Sequence, residues 1–295
     1  MAATRVEVEV EGRRLSLSNL DKVMYPKTGF TKGQVIDYYT RIAPVLLPHL
    51  RDRPLTLKRY PNGVQSSYFY EKNCPSHAPE WVRSEEVGGI RYCVCDDLPT
   101  VVWLANLADL ELHPSLSLAD SIERPTLMAF DLDPGEPAGV RECCEVALIL
   151  REALERLGLE CFAKTSGSKG LQVYVPLNDD EVDYDGGTKV FSNALARHLA
   201  GEHSKLIVST QRKELRRGKV LIDWSQNDEH KTTVCVYSLR ARDRPTVSTP
   251  LRWEEVEAGD PDALVFDSDD VIERVEGHGD LFAPVARLEQ QLPAL

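Results

Sequence analysis

Asp131 and Asp133 stand two residues apart at the end of the apolar run Leu127-Met128-Ala129-Phe130, and Pro134-Gly135 breaks the pattern immediately after them. In a strand alternate side chains share a face, so the two carboxylates emerge together while Leu132 turns back into the sheet. Carboxylates that close repel each other unless a proton or a cation sits between them. Hard divalent ions such as Mg²⁺ or Mn²⁺ take oxygen ligands and bridge carboxylates to phosphates. An isolated Asp-x-Asp more often marks a solvated acidic turn, so its meaning depends on its company. A third acid, Asp223, ends the strand pattern of residues 219–224. Ser166-Gly167-Ser168-Lys169-Gly170 lies between two strand patterns and offers hydroxyls, backbone N–H groups and one ammonium, a short phosphate cradle. It is not a Walker A loop, because the spacing differs and no helix follows it directly. Arg240 and Arg242 are two apart, a spacing that shares a strand face and can clamp a triphosphate. Together the acids, the cradle and the arginines suit two-metal phosphoryl transfer to a nucleotide.

Other residues carry weaker signals. Lys22, Lys27 and Lys32 surround the loop Tyr25-Pro26-Lys27-Thr28-Gly29-Phe30, either as solvated charge or as a phosphate site. Lys58-Arg59 ends a strand over residues 54–60, and Tyr68-Phe69-Tyr70 follows a Pro-Asn-Gly turn. Three aromatics in a row cannot all be buried on one strand, and an outward one beside a cation suits stacking on an unpaired base. A rim of core aromatics explains the triplet equally well. His113 falls at the end of an expected helix over residues 100–113, placed to satisfy carbonyls or to reach a phosphate or sugar hydroxyl. Arg212, Lys213, Arg216, Arg217 and Lys219 form a basic run with only Glu214 opposing it. Cys74, His77, Cys93 and Cys95 offer four zinc-ligand types, but the spacing lies far from usual structural zinc sites. Reduced, buried thiols are the expectation for all seven cysteines.

The elements that must position these residues read as mixed α and β. Residues 5–17 alternate as a hairpin, and Thr31 caps a helix expected to reach residue 42. A helix over residues 138–157, stopped by Gly158, follows the Asp131 strand. Strands are expected at 159–164, 171–175, 206–208, 219–224 and 232–238, a helix at 188–200, and acidic helical segments beyond 250. No linker or repeat interrupts the chain. One domain of 295 residues is expected, in three parts, 1–125, 126–250 and a helical tail (251–295). The composition, 42% hydrophobic and 28% charged, is that of an ordinary globular protein. No apolar run approaches the roughly 20 residues of a membrane span, and the first residues lack a signal-peptide core. A cytoplasmic protein is the expectation. The net charge of −12 excludes a chain coated uniformly by nucleic acid, leaving local basic clusters to decide such binding.

The chain also resembles the polymerase domain of bacterial ligase D, a member of the archaeo-eukaryotic primase superfamily active in non-homologous end joining. The resemblance rests on Phe130-Asp131-Leu132-Asp133-Pro134-Gly135, Ser166-Gly167-Ser168-Lys169-Gly170-Leu171, Ile222-Asp223-Trp224-Ser225-Gln226-Asn227 and Tyr237-Ser238-Leu239-Arg240-Ala241-Arg242, in that order. It implies a primase-type α/β fold, with mixed β-sheets around a catalytic cleft and helices outside, residues 1–125 being the N-terminal DNA-end-binding part and 126–250 the catalytic core, and a protein that is nucleoid-associated when bound to DNA. It also implies that Asp131, Asp133 and Asp223 hold two Mn²⁺ or Mg²⁺ ions, and that Ser166, Lys169 and Arg240 contact the phosphates of an NTP or dNTP with His113 facing the nucleotide. Lys22 and Lys32 match lysines that hold a recessed 5′-phosphate at a DNA gap or end. Lys58 and Arg59 match a further basic site, Phe69 and Tyr70 match stacking aromatics, and Arg216 matches an arginine near the template. Gln172 departs from the usual histidine; its amide is expected to donate to the triphosphate without the charge of an imidazolium. The implied activity is template-dependent gap filling or end extension in double-strand break repair, with ribonucleotide incorporation. Ku and a separate ATP-dependent DNA ligase are the implied partners, because 295 residues leave no room for a sealing domain. The alternatives are an end-bridging protein with a weakened catalytic centre, and a metal-dependent nuclease.

Overall fold

The computed structural model describes residues 5–179 and 181–293. Its contacts divide the chain into two compact units, each assembled from three segments. One comprises Met1–Pro114, Val234–Val247 and Asp267–Asp280; the other comprises Ser115–Thr233, Ser248–Phe266 and Leu281–Leu295. Among the described residues no helix is long and apolar enough to cross a membrane.

The second unit is built on a six-stranded sheet in the order Ile207–Val208, Val220–Asp223, Leu127–Pro134, Leu171–Pro176, Phe162–Thr165, Pro250–Leu251. Only the first pair is parallel. Alternation along Leu127–Pro134 sends Phe130 and Leu132 into the core, both fully buried, and leaves Asp131 and Asp133 on the opposite face. Helix Val140–Arg156 covers the buried face with Cys143, Ala147, Leu150 and Leu154 against Phe130, Val173 and Ile222. Each buried leucine there contributes roughly 1.5–3 kcal/mol. Glu142 accepts from the Gly139 N–H at the start of that helix, and Gly158 ends it with a positive φ. At the far edge the Asn227 side chain takes over as a backbone surrogate, accepting from Ala129 N–H at 2.9 Å and donating to its carbonyl at 2.8 Å. The sheet therefore stays satisfied where the chain leaves it after Asp223.

The first unit pairs strand Pro54–Arg59 with Phe69–Glu71, with Ile90–Val94 and with Asp109–Pro114, all antiparallel. Helix Lys32–Leu50 starts at the expected Thr31 cap, where Thr31 and Gln34 exchange side chain-to-backbone bonds. It runs past Pro44 and Pro48, beyond the expected end at 42. Buried Ala43, Leu46 and Leu50 continue the apolar stripe, and their packing outweighs the lost backbone donors.

Four expectations are corrected. The helix over 100–113 is instead a helix Leu98–Asn106 and a strand Asp109–Pro114, joined through Ala108 at φ 59°. Residues 232–238 form no strand; they contribute a single bridge, Thr232 with Ser115, and turn at Tyr237 with φ 65°. Cys74 and Cys93 are joined in a disulfide, so the reduced-thiol reading fails for that pair, while Cys95, Cys143, Cys144, Cys161 and Cys235 are free and buried as expected. The same bond removes two of the four zinc-ligand candidates. The hairpin Arg5–Val10 and Arg13–Ser18 forms in the expected place, but only Leu15 and Leu17 are buried and Val6 is exposed.

Candidate active site

Each unit carries one cluster of candidate residues. In the unit with the six-stranded sheet, strand register lines up Lys164 with Gln172, Gln172 with Asp131, and Asp131 with Asp223. Directly paired residues of neighbouring strands present their side chains on the same face. The result is a polar row across four strands, with Asp133 two residues further along the same face as Asp131. Asp131 Oδ1 accepts from Gln172 Nε2 at 3.1 Å. Burial, reinforced by the charges of Asp223 and Asp133, pushes the Asp131 carboxyl up to about 6, although the Gln172 bond and the Lys164 charge oppose the shift. Asp133 accepts from Arg216 Nη1 at 3.1 Å. Asp223 accepts from Ser225 N–H at 3.0 Å, Ser225 Oγ at 2.6 Å and Gln226 Nε2 at 3.1 Å. Lys231 in turn donates to Ser225 Oγ.

The donor set, three carboxylates on one sheet face, one of them raised by burial with its neighbours' charges adding to the shift, has the chemistry of a hard divalent-ion site. As the side chains stand, no group of three or more acids, histidines or cysteines converges among the described residues. Arg216, Ser225 and Gln172 each hold one carboxylate in its present direction.

The cradle loop is partly closed on itself. The N–H groups of Ser168 and Gly170 both donate to Ser166 Oγ at 3.2 Å, so these two are not open donors as expected. Lys169 is exposed and pairs with Glu136 at 3.5 Å. Gly170 lies against the Leu132 carbonyl, where any Cβ would collide, which fixes the loop beside the Asp131 strand. Gln172 is only 5% exposed, and its amide donates to Asp131 and Thr233 rather than standing open to a triphosphate.

In the other unit, Lys58 and Arg59 are neighbours on one strand and so point to opposite faces. Register opposes Lys58 to Tyr70 and Arg59 to Phe69, which separates the four residues into two groups. On one face, Lys58 Nζ, His113 Nε2 and Arg240 Nε reach the same oxygen, Glu111 Oε2, at 3.1, 3.1 and 3.3 Å. Tyr60 Oη and Ala241 N–H both donate to Glu111 Oε1, at 3.2 and 3.1 Å. Burial alone would raise this carboxyl, but the His113 hydrogen bond and the charges of Arg240, His113 and Lys58 hold it well below the usual range. The His113 imidazole is itself depressed by burial, although the hydrogen bond and charge of Glu111 oppose the shift, and it donates Nε2–H to that carboxylate. Lys58 also sits among the rings of Tyr60, Tyr68 and Tyr70 at 5.5, 4.7 and 5.5 Å. Arg240 is thus turned onto Glu111 while Arg242 is exposed, and the two do not form a shared clamp.

On the opposite face, Arg59 lies over Phe69 at 5.2 Å and pairs with Glu71 at 2.6 Å. Lys22 donates to Pro61 O and Asn62 Oδ1, and Lys32 donates to Ser18 O and Oγ. Burial and the neighbouring charges of Lys22 and Arg59 push the Lys32 ammonium down to about 8. Three cations that sense one another in this way favour an anion among them. Tyr68, Phe69 and Tyr70 are all substantially exposed, so the stacking reading of the triplet has the surface it needs.

Sequence reasoning passed over Glu111, Lys164, Ser225 and Asn227. Glu111 was hidden inside an expected helix, and Lys164 inside a strand read only for its apolar residues. Ser225 and Asn227 lie in the Ile222–Asn227 motif, which marked them without assigning either a role.

A sequence profile for the LigD primase-polymerase domain matches residues 31–282. The multifunctional non-homologous end joining protein LigD of Mycolicibacterium smegmatis is 42% identical over 278 residues, covering 92% of this chain and 36% of that protein. The bifunctional protein of the same name from Bacillus subtilis is 34% identical over 280 residues, covering 95% of this chain and 45% of that protein. The chain therefore spans well under half the length of these relatives. The solved polymerase domain of Mycobacterium tuberculosis ligase D, in complex with DNA, superposes with a TM-score of 0.87 at 37% identity, covering 94% of this chain and 99% of that one.

Proposed function

This chain belongs to the LigD primase-polymerase domain family, and on that premise we propose that it is a template-dependent polymerase of gaps and broken DNA ends. The observation that carries the reading is the row of Gln172, Asp131 and Asp223, with Asp133 beside it, on one face of the six-stranded sheet. Asp131, Asp133 and Asp223 are the residues that would hold Mn²⁺ or Mg²⁺, which when bound supplies charge stabilisation to a phosphoryl transfer. The reaction is attack of a primer 3′-hydroxyl on the α-phosphate of an NTP or dNTP, with pyrophosphate leaving. Asp131 is ionised above about pH 6, Ser166 and Lys169 serve the substrate's phosphates, and Arg216 lies on the template side. Glu111 fixes Lys58, His113 and Arg240 as donors for sugar and phosphate oxygens. Ku and an ATP-dependent DNA ligase activity are the partners this reading implies.

Extension of a labelled primer across a short gap bearing a 5′-phosphate, with Mn²⁺ and either nucleotide set, tests the proposal. Templated extension with pyrophosphate release supports it. Release of nucleoside monophosphate from the primer would identify a nuclease, and 5′-phosphate-dependent binding without extension would identify an end-bridging protein.

Lys22, Lys32 and Arg59 are assigned to the 5′-phosphate, with Phe69 and Tyr70 stacking at the end. Because Lys32 is charged only below about 8, the preference for 5′-phosphate over 5′-hydroxyl ends should weaken as pH rises from about 7 to about 9.5, with a midpoint somewhat above 8 because the bound anion retains the proton. Fluorescence anisotropy with both oligonucleotides checks this. Lys32→Met should lower the preference roughly tenfold, the worth of one charge-assisted contact, and flatten its pH dependence. A parent protein with a flat profile over this interval would dissociate Lys32 from phosphate recognition.

A further inference from the structure

Lys164 is fully buried, at 0% exposure, on the strand beside Gln172. Its ammonium donates to Gln172 Oε1 at 2.6 Å and to Ser248 Oγ at 2.7 Å, and stands 5.3 Å from the Tyr174 ring centre. Taking an ammonium out of water is expensive, and an apolar residue at this position would fill the same space without that penalty. The orientation of its neighbour suggests what the charge does. An ammonium can only donate, so the Gln172 amide must turn its oxygen toward Lys164. Its NH₂ group is thereby aimed away from Lys164, at Asp131 Oδ1 at 3.1 Å and Thr233 Oγ1 at 3.2 Å. Without the ammonium the amide is free to flip and present oxygen to a carboxylate, and Asp131 would then lose its partner.

We propose that Lys164 is a positioning residue for the divalent-ion centre, acting through Gln172 to anchor the Asp131 carboxylate by one oxygen, so that an arriving ion has only Asp133 and Asp223 to draw toward it. The inference rests on the reading of Asp131 as an ion ligand and extends it to two residues that need not touch ion or substrate. It also reassigns Gln172. The side chain at this position serves a carboxylate, and an amide does so adequately because a fixed ammonium sets its orientation.

The test is Mn²⁺ binding to the metal-free protein, followed by the electron paramagnetic resonance signal of the free ion, for the parent, Lys164→Met, Gln172→Leu and the double variant. Residues that orient a metal ligand typically contribute about 10–100-fold in affinity, so each single variant should bind Mn²⁺ roughly tenfold more weakly. The double variant should be no weaker than the worse single, because one residue acts through the other. In primer extension, Lys164→Met should regain most of the parent kcat at saturating Mn²⁺, which a general loss of structure would not allow. Unchanged Mn²⁺ affinity in Lys164→Met would overturn the proposal, as would a double variant weakened by the product of the two singles. Should Lys164→Met fail to fold, Ser248→Ala removes one acceptor from the ammonium and should weaken Mn²⁺ binding roughly two- to threefold; no change would count against the proposal equally. A parent protein that binds no Mn²⁺ in a manner dependent on Asp131 and Asp133 would instead remove the ion-site reading itself.

Discussion

Asp131→Asn should lower primer extension by at least about a thousandfold while raising the thermal stability of the metal-free protein at neutral pH. The first effect follows from removing a carboxylate from the three proposed to hold the ion; losing about 4 kcal/mol of transition-state stabilisation corresponds to that factor. The second follows from the environment of Asp131. Burial and the repulsion of Asp223 and Asp133 push its carboxyl up to about 6, against about 3.9 in an unfolded chain. An acid with a raised folded value binds its proton more tightly in the native state, so its contribution falls as pH rises from about 4 to about 6 and stays unfavourable above that. The penalty at neutral pH is about 1–3 kcal/mol. The amide carries no charge and escapes it. Thermal melts without divalent ion at about pH 5 and about pH 7.5 would reveal the effect as a gain in the variant that is larger at the higher pH. Mn²⁺ should then stabilise the parent and leave the variant almost unmoved. A variant no more stable than the parent at neutral pH would mean that Asp131 is not strained by its neighbours.

Part of this trade between stability and activity was visible in the residue order, because the pairing of Asp131 with Asp133 follows from strand periodicity, whereas the burial of Asp131 and the approach of Asp223 do not. Asp131 and Asp133 share a face for the same reason that Phe130 and Leu132 share the other. The strand ending in Asp223 was equally plain from its apolar run. What local pattern could not supply was register across four strands, and it is register that puts Lys164, Gln172, Asp131 and Asp223 in one row. A lysine in a short strand reads as an edge or an exposed end unless its cross-strand partner is known. The separation of Lys58 from Arg59 was available in principle, since adjacent residues of a regular strand alternate between faces, yet a shared positive charge made them look like one site. Glu111 was obscured by a different competition. Leu104, Leu107, Ala108 and Leu110 have helical spacing, but the backbone reverses at Ala108 and the next residues join the sheet, where Glu111 and His113 fall on one face. Tertiary pairing outweighed local periodicity there. Residues 232–238 were misread in the opposite sense, since an apolar, β-branched run was used to pack a turn against the Asp109–Pro114 strand through Cys235 N–H and Leu112 O.

Glu111→Gln is expected to be among the most damaging conservative substitutions in the chain, weakening stability by about 3–5 kcal/mol, the usual result of removing one member of a buried charge network. One oxygen of Glu111 faces Lys58, His113 and Arg240, and the residue is almost wholly buried at 2% exposure. The amide keeps the shape but takes away the only charge on which these groups converge, and its NH₂ group cannot accept from any of them. Lys58 and Arg240 are then left to repel each other in a site with little water to screen them. The pH dependence supplies an independent check. Glu111 is held well below its ordinary value, so its stabilising contribution is present above the unfolded value of about 4.3 and is lost as pH falls below it. Urea midpoints should therefore separate parent and variant widely at neutral pH and approach each other toward about pH 3. Lys58→Met placed in the Glu111→Gln background should recover part of the loss, because it removes one of the cations left unpaired. The KM for nucleotide should rise together with the loss of stability, since His113 and Arg240 lose the group that orients them. A Glu111→Gln protein within about 1 kcal/mol of the parent at neutral pH would show that Tyr60, Ala241 and an amide oxygen suffice to hold the three donors, and that the carboxylate charge is not what organises this cluster.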